Sequence, residues 1–251
     1  MRLFGLIGYP LSHSFSGKFF AEKFLREGIK DALYELYPIQ KIEELPLLIQ
    51  QKKELIGLNV TIPFKQQVLY LLDQTEEVGR EIGAINTIKI LRNRDNPVLI
   101  GYNTDVFGFE ASLLPLLSGD YLNSKALILG TGGASLAVER VLRKLGFEMA
   151  FVSRTPRKPS HISYQSITKE IIASSRLIVN TSPKGMTPHA DECPDIPYQY
   201  LNRNHILYDL IYNPEETLFL RKGREQGAVT KNGLQMLHLQ AERSWEIWNE
   251  F

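Results

Sequence analysis

The stretch Lys125-Ala-Leu-Ile-Leu-Gly130-Thr-Gly132-Gly133-Ala134-Ser135 decides the reading of this chain. An apolar run ends in a turn rich in glycine, a segment of helical periodicity follows from Ala134 to Leu145 with Gly146 as its stop, and a second apolar run occupies 148–153. A bare G-x-G carries little information, since at about 7% glycine a chain of this length contains roughly one by chance. Position gives the turn its weight. Between a strand and a helix, backbone N–H groups and the positive helix N-terminus converge on a pyrophosphate. The last fingerprint position is Ser135 where the strict form has Gly or Ala, and a small residue still permits close helix packing. The plain alternative is an ordinary glycine-rich turn of an α/β domain.

The residues after the second strand bear on which dinucleotide is held. An NAD site places Asp or Glu about 20 residues beyond the glycines, against the ribose 2′-OH. Here the segment reads Ser153-Arg154-Thr155-Pro-Arg157-Lys158, without a carboxylate. Arg154 offers a planar fork, Arg157 or Lys158 a point charge, and Ser153 and Thr155 hydroxyl donors, a set suited to a 2′-phosphate. The bland reading is a solvated basic loop, and the position after strand two disfavours it. The expectation is NADP and an oxidoreductase.

Outward from this segment, apolar runs bounded by Gly and Pro alternate with helical periodicity along the whole chain, the pattern of α/β sheets. Strands are predicted at 2–8, 33–37, 55–61, 84–90 and 98–102, with helices near 16–27, 41–52 and 64–72. Gly28 stands as a C-cap. A second series begins near residue 106, with strands at 125–130, 148–153, 176–180 and 206–211. The final segment places Leu234, Leu237, Ala241, Trp245 and Trp248 on one helical stripe. The domains expected are 1–105 and 106–232, followed by the helix 233–251.

Composition sets the function classes. The chain has 251 residues, 43% of them apolar, and a formal net charge of +1. With charges spread evenly, no basic footprint marks a nucleic-acid or membrane partner, so small molecules are the expected partners. Cys193 is the single cysteine, which excludes an internal disulfide and leaves no zinc cluster; reducing cytosol, hence a cytoplasmic protein, is the expectation. The apolar run from Leu3 to Ile7 is too short for a signal-peptide core or a membrane span. Composition leaves monomer and homodimer open.

Three polar clusters in the first domain fall at strand ends, where α/β sites lie. Gly8-Tyr-Pro10-Leu-Ser12-His13-Ser14-Phe-Ser16 offers three serine hydroxyls and an imidazole, though Ser16 could simply N-cap the following helix and His13 be a surface histidine. Asn59-Val-Thr61-Ile-Pro63-Phe-Lys65 puts Pro63 at a predicted helix start and Lys65 in its first turn. A cation there opposes the helix dipole and invites a functional explanation. The third cluster pairs Gly83-Ala-Ile-Asn86-Thr87 with Gly101-Tyr-Asn103-Thr104-Asp105.

With Asn180-Thr-Ser-Pro-Lys-Gly185-Met186, Tyr208-Asp-Leu-Ile-Tyr212-Asn-Pro214 and Asn232-Gly233-Leu-Gln-Met236-Leu-His-Leu-Gln240 added, the ordered motifs cover nearly all of the chain. In these the sequence resembles the shikimate dehydrogenases, NADP-dependent enzymes that interconvert 3-dehydroshikimate and shikimate in aromatic amino-acid (chorismate) biosynthesis. The resemblance implies an N-terminal α/β substrate domain, a Rossmann-type NADP-binding domain and a C-terminal helix that returns to the first domain. It further implies that Ser14 and Ser16 bind the substrate carboxylate, that Thr61, Asn86, Asp105 and Gln240 hold ring hydroxyls, that Tyr212 lines the site, and that Lys65 is the catalytic acid/base beside Asp105. Cofactor contacts are implied for Gly130, Thr131, Gly132, Gly133, Ala134, Ser153, Arg154, Thr155, Lys158, Leu210 and Gly233, and no metal. Gly17, Phe20 and Ser153 depart from the family's frequent residues; the first two bear on how the serine turn is set, the third on one cofactor hydrogen bond. A quinate or quinate/shikimate dehydrogenase is the neighbouring alternative, and a catalytically silent NADP- or metabolite-sensing module the one from a different class.

Overall fold

The computed structural model describes residues 1–11, 14–92, 96–117, 121 and 123–250. Ser12 and His13 of the serine turn lie outside the described residues. The chain divides into two compact units, one of Met1–Phe107 with Gln240–Phe251 and one of Gly108–Leu239, and both divisions fall inside helices.

The first unit runs β1 (Arg2–Ile7), α1 (Phe15–Arg26), β2 (Ala32–Tyr37), α2 (Leu45–Gln51), β3 (Leu55–Val60), β4 (Gln74–Thr75), α3 (Glu77–Ile82), β5 (Thr87–Leu91), β6 (Val98–Tyr102) and the start of α4 (Thr104–Leu113). Its sheet has the order β2-β1-β3-β5-β6-β4, with β1 parallel to both neighbours and β5 antiparallel to β3 and β6. Leu3, Ile7, Leu55, Leu58, Ile85 and Ile88 pack on one side. Phe4, Phe19, Phe20, Phe24, Ala241 and Trp248 form a second, aromatic core.

Two predicted helices come out differently, for local reasons. The segment 41–52 is a 3-10 turn, Ile42–Glu44, followed by α2, because Pro46 at the start of α2 has no N–H to return to the preceding turn. The segment 64–72 holds turns and a 3-10 helix, Gln67–Leu71. Its Lys65 carbonyl receives the Ile85 N–H at 2.7 Å, and the Leu69 N–H, which an α-helix would return to Lys65, bonds instead to the Gln66 carbonyl at 3.4 Å. Lys65 is therefore not in the first turn of an α-helix, and the dipole argument made for it does not apply. The strand expected at 84–90 begins only at Thr87, since Gly83 ends α3 in the left-handed region (φ 68°) and Ala84 N–H still bonds to Gly79.

The second unit runs through the remainder of α4, β7 (Lys125–Leu129), α5 (Gly133–Lys144), β8 (Glu148–Val152), β9 (His161–Ile162), α6 (Lys169–Ser174), β10 (Ser175–Asn180), β11 (Ile206–Asp209), α7 (Leu218–Glu225), β12 (Val229–Lys231) and the start of α8 (Leu234–Asn249). All six strands are parallel, in the order β12-β11-β10-β7-β8-β9. Counted from β7, this is the 3-2-1-4-5-6 order of dinucleotide-binding sheets, and the strand order reverses between β7 and β10. The fold is α/β with a Rossmann-type second unit. Among the described residues no helix is long and apolar enough to cross a membrane.

The stripe predicted on α8 holds at Ala241, Trp245 and Trp248 but not at Leu234, which is exposed. Trp248 donates its indole N–H to the Ile88 carbonyl at 3.0 Å and covers Gly57 so closely that a Cβ there would stand 2.6 Å from the ring. Gly57→Ala is expected to destabilise the protein by about 2 kcal/mol through overpacking, read as a lower urea midpoint at unchanged slope. An unshifted midpoint would mean that the helix does not press on β3.

Candidate active site

In the first unit, the chain delivers polar residues to the ends of β1 and β3 and to the starts of β5 and α4. Asn86, just before β5, is 3% exposed, so its carboxamide must find partners inside the protein. Its Oδ1 accepts the Thr104 backbone N–H at 2.7 Å, which fixes the orientation of the group. The Nδ2 end is thereby turned to Asp105 Oδ1 at 2.9 Å and Thr104 Oγ1 at 3.0 Å. Asp105 stands in the first turn of α4, where a helix favours negative charge, and its Oδ2 accepts Lys65 Nζ at 2.6 Å. With side chains only 24% and 13% exposed, the pair is weakly screened. Gln240 in α8 brings Oε1 to 3.4 Å from both Asn86 Nδ2 and Thr104 Oγ1. Lys65, Asn86, Asp105 and Gln240 thus meet in one hydrogen-bonded group.

The serine turn is placed differently from the plain expectation for it. α1 begins at Phe15, so Ser14 holds the N-cap position, without a side-chain cap bond, and Ser16 lies in the first helical turn. The Ser16 hydroxyl is bonded to Tyr34, a phenol that burial pushes far above its usual range. Tyr34 in turn donates to Asn59 Oδ1 at 2.8 Å. Thr61, half-buried beyond the end of β3, is tied by its N–H to the Ile7 carbonyl at 2.9 Å, which joins the ends of β1 and β3.

In the second unit, the glycine turn follows β7 at the point where strand order reverses. Gly130 has φ 117°, and a Cβ there would come within 2.8 Å of Thr181 Oγ1 at the end of β10. Gly132, the N-cap of α5, and Gly133 have nothing within 4 Å of the Cβ position, so Thr131 to Ala134 present an open backbone cradle at a helix N-terminus. The departure at Ser135 has a structural account: it is 1% exposed and its hydroxyl donates to the Gly132 carbonyl at 2.7 Å. After β8, Ser153 Oγ accepts the Thr155 N–H at 3.2 Å, and Arg154, Thr155, Arg157 and Lys158 are exposed. Gly233 packs against Leu210 so that a Cβ would lie 2.1 Å from its carbonyl oxygen. Tyr212 follows close by in sequence, half-buried, with its phenol held above the usual range by that burial.

Sequence reasoning left Asn59, Thr87, Thr104 and Ser244 without a role, and all four are buried in hydrogen bonds around Asn86. Ser244 had a legible signal, since it lies one helical turn beyond Gln240. Asp209 was also passed over. It is fully buried at the end of β11 and accepts from Thr217 Oγ1 (2.6 Å), Ile211 N–H (3.0 Å) and Asn180 Nδ2 (3.0 Å).

Residues 6–88 match the family model described as the shikimate dehydrogenase substrate binding domain. Over 98% of the chain, and 91% of the relative, the sequence is 38% identical to a shikimate dehydrogenase (NADP(+)) of Carboxydothermus hydrogenoformans. The chain belongs to the shikimate dehydrogenase family. The solved shikimate dehydrogenase of Aquifex aeolicus matches 99% of this chain and 92% of its own with TM-score 0.85 at 33% identity. The Thermus thermophilus enzyme, solved in complex with NADP(H) and shikimate, matches 99% of this chain and 94% of its own with TM-score 0.84 at 30% identity.

In this shikimate dehydrogenase family member, burial pushes the Asp209 carboxyl from 3.8 up to about 6, against the opposing pull of its three donors. The folded protein therefore binds that proton more tightly than the unfolded chain. The contribution to stability is fully present below 3.8 and is lost as pH rises through about 6. Relative to Asp209→Asn, the parent should gain roughly 1–2 kcal/mol of unfolding free energy between about pH 7.5 and about pH 5. Urea titrations of both proteins at the two pH values measure this, and a constant difference would contradict it.

Proposed function

We propose that the chain is an NADP-dependent shikimate dehydrogenase, which reduces 3-dehydroshikimate to shikimate and runs the reverse reaction, and that its two units divide the work. The first holds the substrate and the second the dinucleotide. The observation that carries the reading is the Lys65–Asp105 pair at 2.6 Å, with Asn86 on the second carboxylate oxygen.

Reduction of a ring ketone requires a proton at the developing alkoxide. Lys65 Nζ is the donor in our reading, and the same nitrogen accepts the proton in the oxidising direction. Asp105 orients that ammonium with Oδ2 while Asn86 occupies Oδ1. Asn86, Thr61, Asp105 and Gln240 bind the ring hydroxyls, a polyhydroxylated substrate being one that needs many directional donors and acceptors. Ser14 and Ser16 take the carboxylate. NADPH, when bound, supplies the hydride. The open cradle of Gly130, Thr131, Gly132, Gly133 and Ala134 fits its pyrophosphate, and Ser153, Arg154, Thr155 and Lys158 suit a 2′-phosphate, with Leu210 and Gly233 toward the nicotinamide. A single cysteine and an NADP cofactor are in keeping with a cytoplasmic setting.

The test is the absorbance of reduced nicotinamide after mixing the protein with shikimate and NADP+, with quinate and NAD+ as the comparison substrates. NADP+ and shikimate should be the favoured pair. Lys65→Ala should lower kcat by roughly 10²–10⁴ while raising KM for shikimate far less. Equal losses in both would reduce Lys65 to a binding residue, and an inactive parent would overturn the reading.

A further inference from the structure

Around Asn86 the first unit buries a set of neutral polar groups that the proposed chemistry does not use. Ser244 and Thr87 are both 0% exposed, and their hydroxyl oxygens stand 2.7 Å apart. Asn59 Nδ2 donates to Ser244 Oγ at 3.0 Å, and Ser244 Oγ reaches its own helix at the Gln240 carbonyl, 2.9 Å away. Thr87 Oγ1 lies 3.3 Å from Asn86 Oδ1 and 3.4 Å from Thr104 Oγ1. Four elements converge here, and each supplies a residue within one helical turn or two strand positions of a candidate ligand: Asn59 in β3 two residues before Thr61, Thr87 at the start of β5 after Asn86, Thr104 before Asp105, and Ser244 one turn from Gln240.

Each hydroxyl carries one proton and must choose among several acceptors, so the partners constrain one another. Apolar side chains of the same shape would fill this space without the desolvation cost of hydroxyls. What hydroxyls add is direction. When Ser244 donates to Thr87, the Thr87 proton is left for Asn86 Oδ1, the same oxygen that Thr104 N–H engages.

We infer that Thr87 and Ser244 are positioning residues, a hydroxyl hub that sets the carboxamides of Asn86 and Gln240 for the substrate's ring hydroxyls. This rests on the reading of the chain as a shikimate dehydrogenase. The hub acts on substrate binding through Asn86 and Gln240, touches neither substrate nor cofactor itself, and belongs to the first unit alone.

Steady-state kinetics on the full-length parent, Thr87→Val, Thr87→Ser and Ser244→Ala test it, with thermal unfolding alongside. Thr87→Val and Ser244→Ala should each raise KM for shikimate roughly five- to tenfold, as expected for one lost buried hydrogen bond, with KM for NADP+ unchanged. Thr87→Ser, which keeps the hydroxyl, should bring KM for shikimate back toward the parent value. A lower Tm with KM for shikimate unchanged would overturn the inference and leave the hub a packing feature. Should Thr87→Val fail to fold, Ser244→Ala decides, and an unchanged KM for shikimate in it would overturn the inference as well. An inactive parent would instead sink the functional reading, so the two failures are distinguishable.

Discussion

One buried carboxamide sets the geometry of the candidate site. Asn86 is read at both ends: the Thr104 backbone N–H takes its oxygen, and its nitrogen is thereby aimed at Asp105, which holds Lys65. Rotating the amide would set donor against donor at Thr104 and acceptor against acceptor at Asp105, and leaving buried groups of this kind unpaired costs about 1–3 kcal/mol each. Among the described residues, no buried side-chain nitrogen or oxygen lacks a partner. The ion pair therefore has one arrangement consistent with its surroundings.

The same rule, that polar groups collect where strands end and helices begin, organises the second unit. Gly130 allows β7 and the end of β10 to approach, and the cradle beyond it opens at the N-terminus of α5. Asp209 and Asn180 close the ends of the neighbouring strands β11 and β10 by bonding to one another and to the loops that follow. Rigid strand ends with short polar loops are what a binding surface requires, since side chains placed in this way lose little freedom when a ligand arrives.

Much of this was legible in the sequence, and the exceptions share a cause. The glycine turn, its flanking strand and helix, and the basic loop were readable because each depends on neighbours within a few residues. The 3-10 segment after Thr61 was not, since the Lys65 carbonyl there is engaged by Ile85, 20 positions beyond it. Strands β4, β9 and β12 run only two or three residues, too short to carry a period of their own. In the candidate site, Lys65, Asn86 and Asp105 stood out as chemistry-bearing residues at strand ends. Thr87 did not, because a buried hydroxyl looks like any other small residue until its partners are known, and Ser244 was marked only by its spacing from Gln240. Asp209 was hidden in the same way, at the end of an apolar strand.

The central claim is that Lys65 and Asp105 act as one unit, and a double-mutant cycle on kcat/KM for shikimate with Lys65→Met, Asp105→Asn and the double variant tests it most directly. Groups that work together are non-additive. The account predicts that the double variant is about as impaired as the worse single variant, at least roughly tenfold better than the product of the two single losses. Multiplicative losses would contradict it, because they would mean that the two residues contribute independently.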